Sequence, residues 1–349
     1  MTFHDWMQAA LYHPELGYYC RSDRPRWGRE GDYRTAPETS PLFAATFVRV
    51  FLKLFREAGS PDELAIVEVG AGAGHFAEGF LDTLERAFPE VFERTTYLID
   101  EISNQSRELV AARLAKFGDR VRFSRISDLD PIRWGIIFAN ELLDALPVHR
   151  VALRNGELTE LYVNIKDDDS FGWHYGPLST SRLRGYLERF AIQLSEDQIV
   201  EINLHIEKWF SSISSRLLSG HLIIVDYGAE STALYSDSLR NQGTLRGFKR
   251  HRFTDDLLSA PGEQDLTTTI DWDAVKEFGR EYGFALKEFG RLDQFLLKCG
   301  VLEELDELAA KATSEVERLK LRTSLRELIL PGGMAESFHV LLLTRCLVP

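Results

Sequence analysis

The stretch "LAIVEVGAGAGHFAEGF", residues 64–80, passes from an apolar run containing one acid, Glu68, through glycines at 70, 72 and 74 into an amphipathic pattern. An apolar run of that length reads as a buried strand and the residues after it as a helix, so the glycines make the strand-to-helix turn of an α/β unit. Such a turn brings backbone N–H groups and a helix N-terminus against a ligand, and the missing side chains permit close approach. The dinucleotide fingerprint G-x-G-x-x-G would require glycine at position 75, which is His75; the spacing here is G-x-G-x-G.

Working outward, "TYLID" (96–100), "RVRFSR" (120–125), "WGIIFAN" (134–140) and "HLIIVDYG" (221–228) repeat the strand pattern, with helical patterns at 75–88 and 105–117. This rhythm predicts a Rossmann-like α/β fold with a mostly parallel central sheet, right-handed crossovers and chemistry at the strand C-termini. Upstream, residues 2–12 read as a helix capped by Thr2 and stopped by Pro14 and Gly17, and a second helix begins at Ser40-Pro41. Downstream, Asn155-Gly156 between two β-rich runs predicts a type I′ hairpin. Helices are expected at 181–194, at 199–218, near Trp272 and over 301–328, with strands at "FALKEFG" and "SFHVLLLTR". The expected organisation is an N-terminal helical and lid segment, 1–60, and a core, 61–349, carrying an insertion at 148–219 and a loop-rich substrate or lid segment at 229–271.

The chain has 349 residues, long enough for about two domains. With 41 Lys and Arg against 54 Asp and Glu, its net charge of −13 opposes nonspecific binding to nucleic acid or an anionic membrane and favours a cationic partner. Cys20, Cys299 and Cys346 are scattered and lack ligand spacing, so neither a disulfide framework nor a metal site is expected. Neither a signal peptide nor a membrane span is legible, and the expected location is cytoplasmic.

S-adenosylmethionine (SAM) carries no phosphate but does carry an ammonium, a carboxylate, a sulfonium and a ribose, so a loop preceded by an acid suits it better than one relying on a helix dipole. Glu68 with Gly70, Gly72 and Gly74 supplies that loop, and Glu101, just past the next strand, is the preferred ribose ligand, with Asp100 beside it. Another nucleotide, or a purely structural turn, is the alternative. Asp128 is a candidate for the adenine amino group or a turn-forming acid in "SDLDP". After the fourth strand, "NELLDALPVHR" gathers Asn140, Glu141 and Asp144 at the sheet edge; they are ligand-facing groups or else a helix cap and a first-turn acid.

The chain resembles the MidA family of SAM-dependent methyltransferases nearly end to end. The likeness is carried by "LYHPELGYY", "GREGDYRTAPETSPLF", "VEVGAGAGHF", "NELLDALPVHR", "VDYG", "GTLRGFKRHR", "PGEQDLTTTIDW" and "LILPGGMAESFHVLLLT", in family order. The resemblance implies a class I methyltransferase core with SAM as cofactor, and mitochondrial members act as protein arginine methyltransferases in complex I assembly. It carries the cofactor motif onto Glu68, Gly70, Gly72, Gly74 and Glu101, the post-strand motif onto Asn140, Glu141 and Asp144, and the N-terminal loop block onto Gly31, Asp32, Thr35, Pro37 and Glu38. "MAESFHV" departs from the usual M-G-x-x-F-K at Ala335 and His339.

An arginine acceptor has a guanidinium pKa above about 12, so full deprotonation at neutral pH would cost roughly 7 kcal/mol. Two carboxylates offer another route, gripping the cation and leaving one nitrogen free to react. Glu141 and Asp144 are the expected clamp, with Asp226 in reserve. The basic run "TLRGFKRHR" contributes Arg246 and His251, the latter a candidate proton shuttle; a solvated basic loop is the plainer reading. The expected partner is a protein bearing arginine, including a complex I subunit. Competing readings are an assembly factor with a non-catalytic SAM site, a methyltransferase for a small acceptor, and a nicotinamide dehydrogenase, which His75 argues against.

Overall fold

The computed structural model describes residues 1–21, 26, 31–32, 35–236, 238–249, 252–254, 256–330, 332 and 334–346. The chain divides into two compact units: Met1–Tyr33 with Leu143–Phe210 and Gly228–Phe278, and Arg34–Leu142 with Ser211–Tyr227 and Gly279–Pro349. These bounds differ from those expected, because the helix Pro41–Glu57, assigned by sequence to an N-terminal segment, belongs with the glycine loop.

The second unit holds the main sheet, in the order Ala285–Arg291, Phe338–Arg345, Gly220–Ala229, Gly135–Asn140, Leu64–Val69, Thr95–Asp100, Val121–Phe123. The last five strands are mutually parallel and Phe338–Arg345 runs antiparallel to both its neighbours, so the predicted mostly parallel Rossmann-like sheet is present. Its central strands are unbroken apolar runs because helices cover the sheet. The helix Pro41–Glu57 starts where the Ser40 hydroxyl accepts from Leu42 N at 3.3 Å, with Pro41 in the first turn. It buries Phe43, Phe47, Phe51 and Phe55, which recur every four residues and so share a face. Against them pack Phe76, Phe80 and Phe138, the Phe76 and Phe138 rings stacked at 4.1 Å. Each such side chain contributes about 1.5–3 kcal/mol by burial. Gly220 lets neighbouring strands meet: at φ 127°, an added Cβ would lie 1.9 Å from the Gly135 carbonyl oxygen. The expected helix over 301–328 is two, Val301–Lys311 and Glu315–Ile329. Ser314 caps the second by accepting from Glu317 N at 3.2 Å, and the Glu317 carboxylate takes Thr313 N at 2.9 Å, a local arrangement that restarts the helix.

The first unit is built on an antiparallel sheet in the order Phe171–Gly176, Glu157–Ile165, His149–Arg154, Ile199–Ile202. Asn155 (φ 53°) and Gly156 (φ 76°) turn the predicted hairpin with both residues left-handed, as a type I′ turn requires. The helix Phe3–Tyr12, capped by Thr2, buries Phe3, Trp6, Met7, Ala10 and Leu11 as one stripe. Three expectations are corrected here. The helix at 181–194 ends at Arg189. That at 199–218 begins at His205, because Ile199–Ile202 pairs with His149–Ala152. The segment 229–271 carries a short helix, Ser231–Tyr235, and a small sheet of Arg246–Lys249, Arg252–Thr254 and Asp265–Thr267. Pairing with distant strands decides these elements, which no local pattern displays. No helix among the described residues is long and apolar enough to cross a membrane.

Candidate active site

In the second unit, the strand Leu64–Val69 delivers Glu68 and the loop, and the parallel strand Thr95–Asp100 delivers Asp100 and Glu101 in register beside it. Gly70, Gly72 and Gly74 have φ of 74°, 57° and 77°, the left-handed region in which glycine carries no side-chain penalty. At Gly70 an added Cβ would also lie 3.0 Å from Leu142 Cδ1. The Glu101 carboxylate accepts from Gly72 N at 3.0 Å and Ser103 N at 2.8 Å, so this acid is fixed at the mouth of the loop by two backbone donors.

Glu68 is buried and accepts from the Tyr97 hydroxyl at 2.7 Å, a partner absent from the sequence reading. Burial pushes its carboxyl up to about 7; the Tyr97 bond works against this and the nearby Glu101 charge adds to it. Burial likewise raises Asp100, against its bond from Ile126 N (2.9 Å) and the Arg125 guanidinium at 3.2 Å. Asp128 is exposed, on the turn Ile126–Asp128, and accepts from the Ser127 hydroxyl at 2.8 Å.

The strand Gly135–Asn140 ends at Asn140, whose Nδ2 donates to Glu141 Oε1 at 3.1 Å. Glu141 has φ 51° and its N–H donates to Val225 O at 2.9 Å. Asp226, fully buried, anchors this corner: Oδ2 accepts from Leu142 N at 3.2 Å and Oδ1 from Tyr227 N at 2.9 Å. Its neighbour across the sheet is His339, one of the two departures in "MAESFHV"; the other, Ala335, is buried in the core. Thr35 precedes the short helix Ala36–Thr39, its carbonyl accepting from Glu38 N and Thr39 N at 3.1 Å each; Pro37 and Glu38 lie in the first turn, half-buried.

In the first unit, Asp144 is buried and its carbonyl accepts from Thr268 N at 2.9 Å. Gly31 is buried, and Asp32 accepts from the Tyr18 hydroxyl at 2.9 Å. Arg246 donates to the Thr269 hydroxyl at 2.7 Å. His251 lies outside the described residues. Sequence reasoning did not single out Asp265, which accepts from the Tyr19 hydroxyl at 2.5 Å; both residues sat inside the family blocks, but nothing local marked them as a pair.

A family model described as "Putative S-adenosyl-L-methionine-dependent methyltransferase" matches residues 46–290, more than half of the chain. The chain belongs to this family, the MidA-like SAM-dependent methyltransferases. The structure of "a COG1565 superfamily member and likely methyl transferase" from Burkholderia thailandensis, bound to S-adenosyl-homocysteine, superposes with a TM-score of 0.87 at 29% identity, covering 100% of this chain and 89% of that one. The chain is 26% identical to "Protein arginine methyltransferase NDUFAF7 homolog, mitochondrial" of Drosophila melanogaster, over 97% of this chain and 80% of that protein. It is 24% identical to "Protein arginine methyltransferase NDUFAF7, mitochondrial" of Homo sapiens, over 97% and 79%.

The cofactor of this methyltransferase is SAM. The donor set agrees with it chemically. A glycine loop with left-handed backbone, a buried acid just before it and a backbone-fixed carboxylate beside it suit a ligand with a diol and an ammonium.

Proposed function

We propose that this methyltransferase transfers methyl groups to arginine side chains of a protein substrate, with a respiratory complex I subunit as the first candidate. The observation that carries the reading is its similarity, over 97% of the chain, to relatives that are protein arginine methyltransferases. The acids of "NELLDALP" support it, because a guanidinium that stays charged needs carboxylates more than it needs a strong base.

Glu68, the loop 70–74 and Glu101 are assigned to SAM, Glu101 accepting from the ribose hydroxyls; Asp128 is assigned to the adenine side and Asn140 to the strand end next to the cofactor. Bound SAM supplies an electrophilic methyl on a positively charged sulfur. Glu141 and Asp144 are assigned to the acceptor, each held within its own unit as described. Asp226 positions Glu141 by fixing Leu142 N. Positioning of the reacting atoms supplies most of the rate enhancement in such a transfer. A cytoplasmic location belongs to the same proposal.

The test is incubation with methyl-labelled SAM and a cell lysate, followed by mass spectrometry of the labelled proteins. Methylarginine that disappears in Glu141→Gln supports the reading. Label in a small molecule, or SAM binding with no transfer at all, would replace it with a small-acceptor enzyme or a non-catalytic assembly factor.

A further inference from the structure

The glycine loop has almost no side chains of its own to fix its peptide groups, so the turn itself or groups outside the loop must hold them. Gly70 N donates to Asp100 O at 2.8 Å, Gly72 N to Glu101 at 3.0 Å, and Gly74 N to Ala71 O at 2.8 Å, which closes a turn over Ala71–Gly74. The helix that follows, His75–Ala87, starts without a side-chain cap, since its N-cap residue is Gly74 at φ 77°. A Ser or Asp there would steady the junction by taking an N–H of the first turn. Glycine leaves those donors uncommitted and the junction without that support.

Arg113 supplies the support from the opposite side. It lies on the helix Asn104–Leu114, where its Nε donates to Ala73 O at 2.8 Å and its Nη1 to Glu78 at 2.6 Å, in the first turn of His75–Ala87. One planar fork thus spans the junction, holding a loop carbonyl with one N–H and a helix acid with another. The stem of the same side chain lies over the glycine: a Cβ added to Gly74 would be 3.1 Å from Val110 Cγ2 and 3.4 Å from Arg113 Cδ. The helix that carries Arg113 begins just past Glu101, whose carboxylate takes Gly72 N. Neighbouring loop residues are therefore held from opposite ends of one helix, Gly72 by an acceptor before its start and Ala73 by a donor near its end. A guanidinium has donors only. It grips the loop through a carbonyl and never competes for an N–H that a ligand needs.

We propose that Arg113 is a positioning residue for the cofactor: by tying Ala73 O to Glu78 it caps the loop-to-helix junction from outside and leaves the junction's own N–H groups to SAM. This rests on the assignment of the loop to SAM. Without the fork, the Ala73–Gly74 peptide plane is held by the bond from Gly74 N alone, and a neutral bond is roughly half as strong as a charge-assisted one. Glycine at 74 also lets the plane turn over at low cost. Any fraction of molecules with the plane turned lowers the apparent affinity in proportion.

The test is S-adenosyl-homocysteine binding by calorimetry in variants of the full chain. Arg113→Met keeps the stem over Gly74 and removes both donors, and it should weaken binding about tenfold. Lys116→Met is the comparison: Lys116 pairs with Asp82 at 2.5 Å, one turn further along the same two segments, and this pair does not include the loop. It should leave binding unchanged. With the loop assignment upheld by loss of binding in Glu101→Ala, a loss under about threefold in Arg113→Met, or an equal loss in Lys116→Met, overturns the proposal. A second measurement looks at the carbonyl itself. In cofactor-free protein carrying carbon-13 at alanine carbonyls and nitrogen-15 at glycine, coupled pairs arise only at Ala58–Gly59, Ala71–Gly72 and Ala73–Gly74. The Ala73–Gly74 signal should shift in Arg113→Met and not in Lys116→Met, while an unmoved Ala58–Gly59 signal shows that each variant is folded. An Ala73–Gly74 signal that stays in place in Arg113→Met overturns the proposal. If Glu101→Ala and Arg113→Met both leave binding intact, the loop assignment fails instead, and the carbonyl signal still decides whether Arg113 holds the junction.

Discussion

Two acids in each unit are held by opposite means. In the second unit, Glu101 is held by Gly72 N and Ser103 N and Asp226 by Leu142 N and Tyr227 N, all backbone donors. In the first, Asp265 is met by the Tyr19 hydroxyl and Asp32 by that of Tyr18, both side chains. A backbone donor does not depend on the residue that carries it, so the first arrangement suits a ligand that never changes. Acids held by side chains can be retuned one substitution at a time.

The sharpest way to break this contrast is to remove a backbone-held acid. Glu101→Ala should weaken S-adenosyl-homocysteine binding at least about a hundredfold by calorimetry, since a ribose clamp and the Gly72 anchor go together. An effect under tenfold would mean the loop alone holds the cofactor.

Next comes an acid of the first unit held by a side chain and the backbone together. The Arg150 and Glu201 side chains are both buried and meet at 3.1 Å, and Glu201 also accepts from Thr244 N at 2.7 Å, so Arg150→Ala leaves a buried carboxylate without its cation. Chemical denaturation should show a loss of about 3 kcal/mol, with saturating cofactor binding unchanged. Equal loss of cofactor affinity would sink the division of labour.

Glu68 gives an effect that reaches its full size only at high pH. Its folded value of about 7 lies above its ordinary 4.5, so the fold favours the protonated form. The cost of ionising it begins as pH rises past 4.5, grows toward 7 and then stays constant. Glu68→Gln should therefore gain stability over the wild type with rising pH, by up to about 3 kcal/mol above pH 7 in cofactor-free protein, and little at pH 4.5. A gain independent of pH would place the effect in packing.

The smallest effect belongs to the histidines of the first unit. His4 stacks on His149 at 4.4 Å and on His205 at 5.0 Å, with Nε2 of His4 and His205 2.7 Å apart. Burial, followed by the charge of His4, lowers His205 to about 4 from 6.5. The unfolded chain takes up the proton first, so the wild type loses stability as pH falls from 6.5 toward 4, and His205→Gln should not share that loss. Melting temperatures at pH 7.5 and 5 should show the gap between the two proteins narrowing or reversing in acid.

The same contrast explains what could be read from the sequence. The strands Leu64–Val69, Gly135–Asn140 and Gly220–Ala229 are legible because a parallel sheet covered by helices demands unbroken apolar runs. Glu101 is legible because it follows such a strand directly. Phe171–Gly176 and Ile199–Ile202 are not, because short strands take their identity from partners far along the chain. Tyr19 and Asp265 are 246 residues apart, and neither carries a local sign of the other. The break at Ala312–Ser314 was written in S-x-x-E but masked by a continuous charged pattern.

Glu141 has a further consequence. A non-glycine residue at φ 51° stores about 1–3 kcal/mol of backbone strain. Glu141→Gly would relieve that strain while deleting the carboxylate, so a search for heat-resistant variants would tend to enrich it. Thermal robustness and methyl transfer are then opposed at a single residue, and selection for folding alone would erase the acid on which the reaction is proposed to depend.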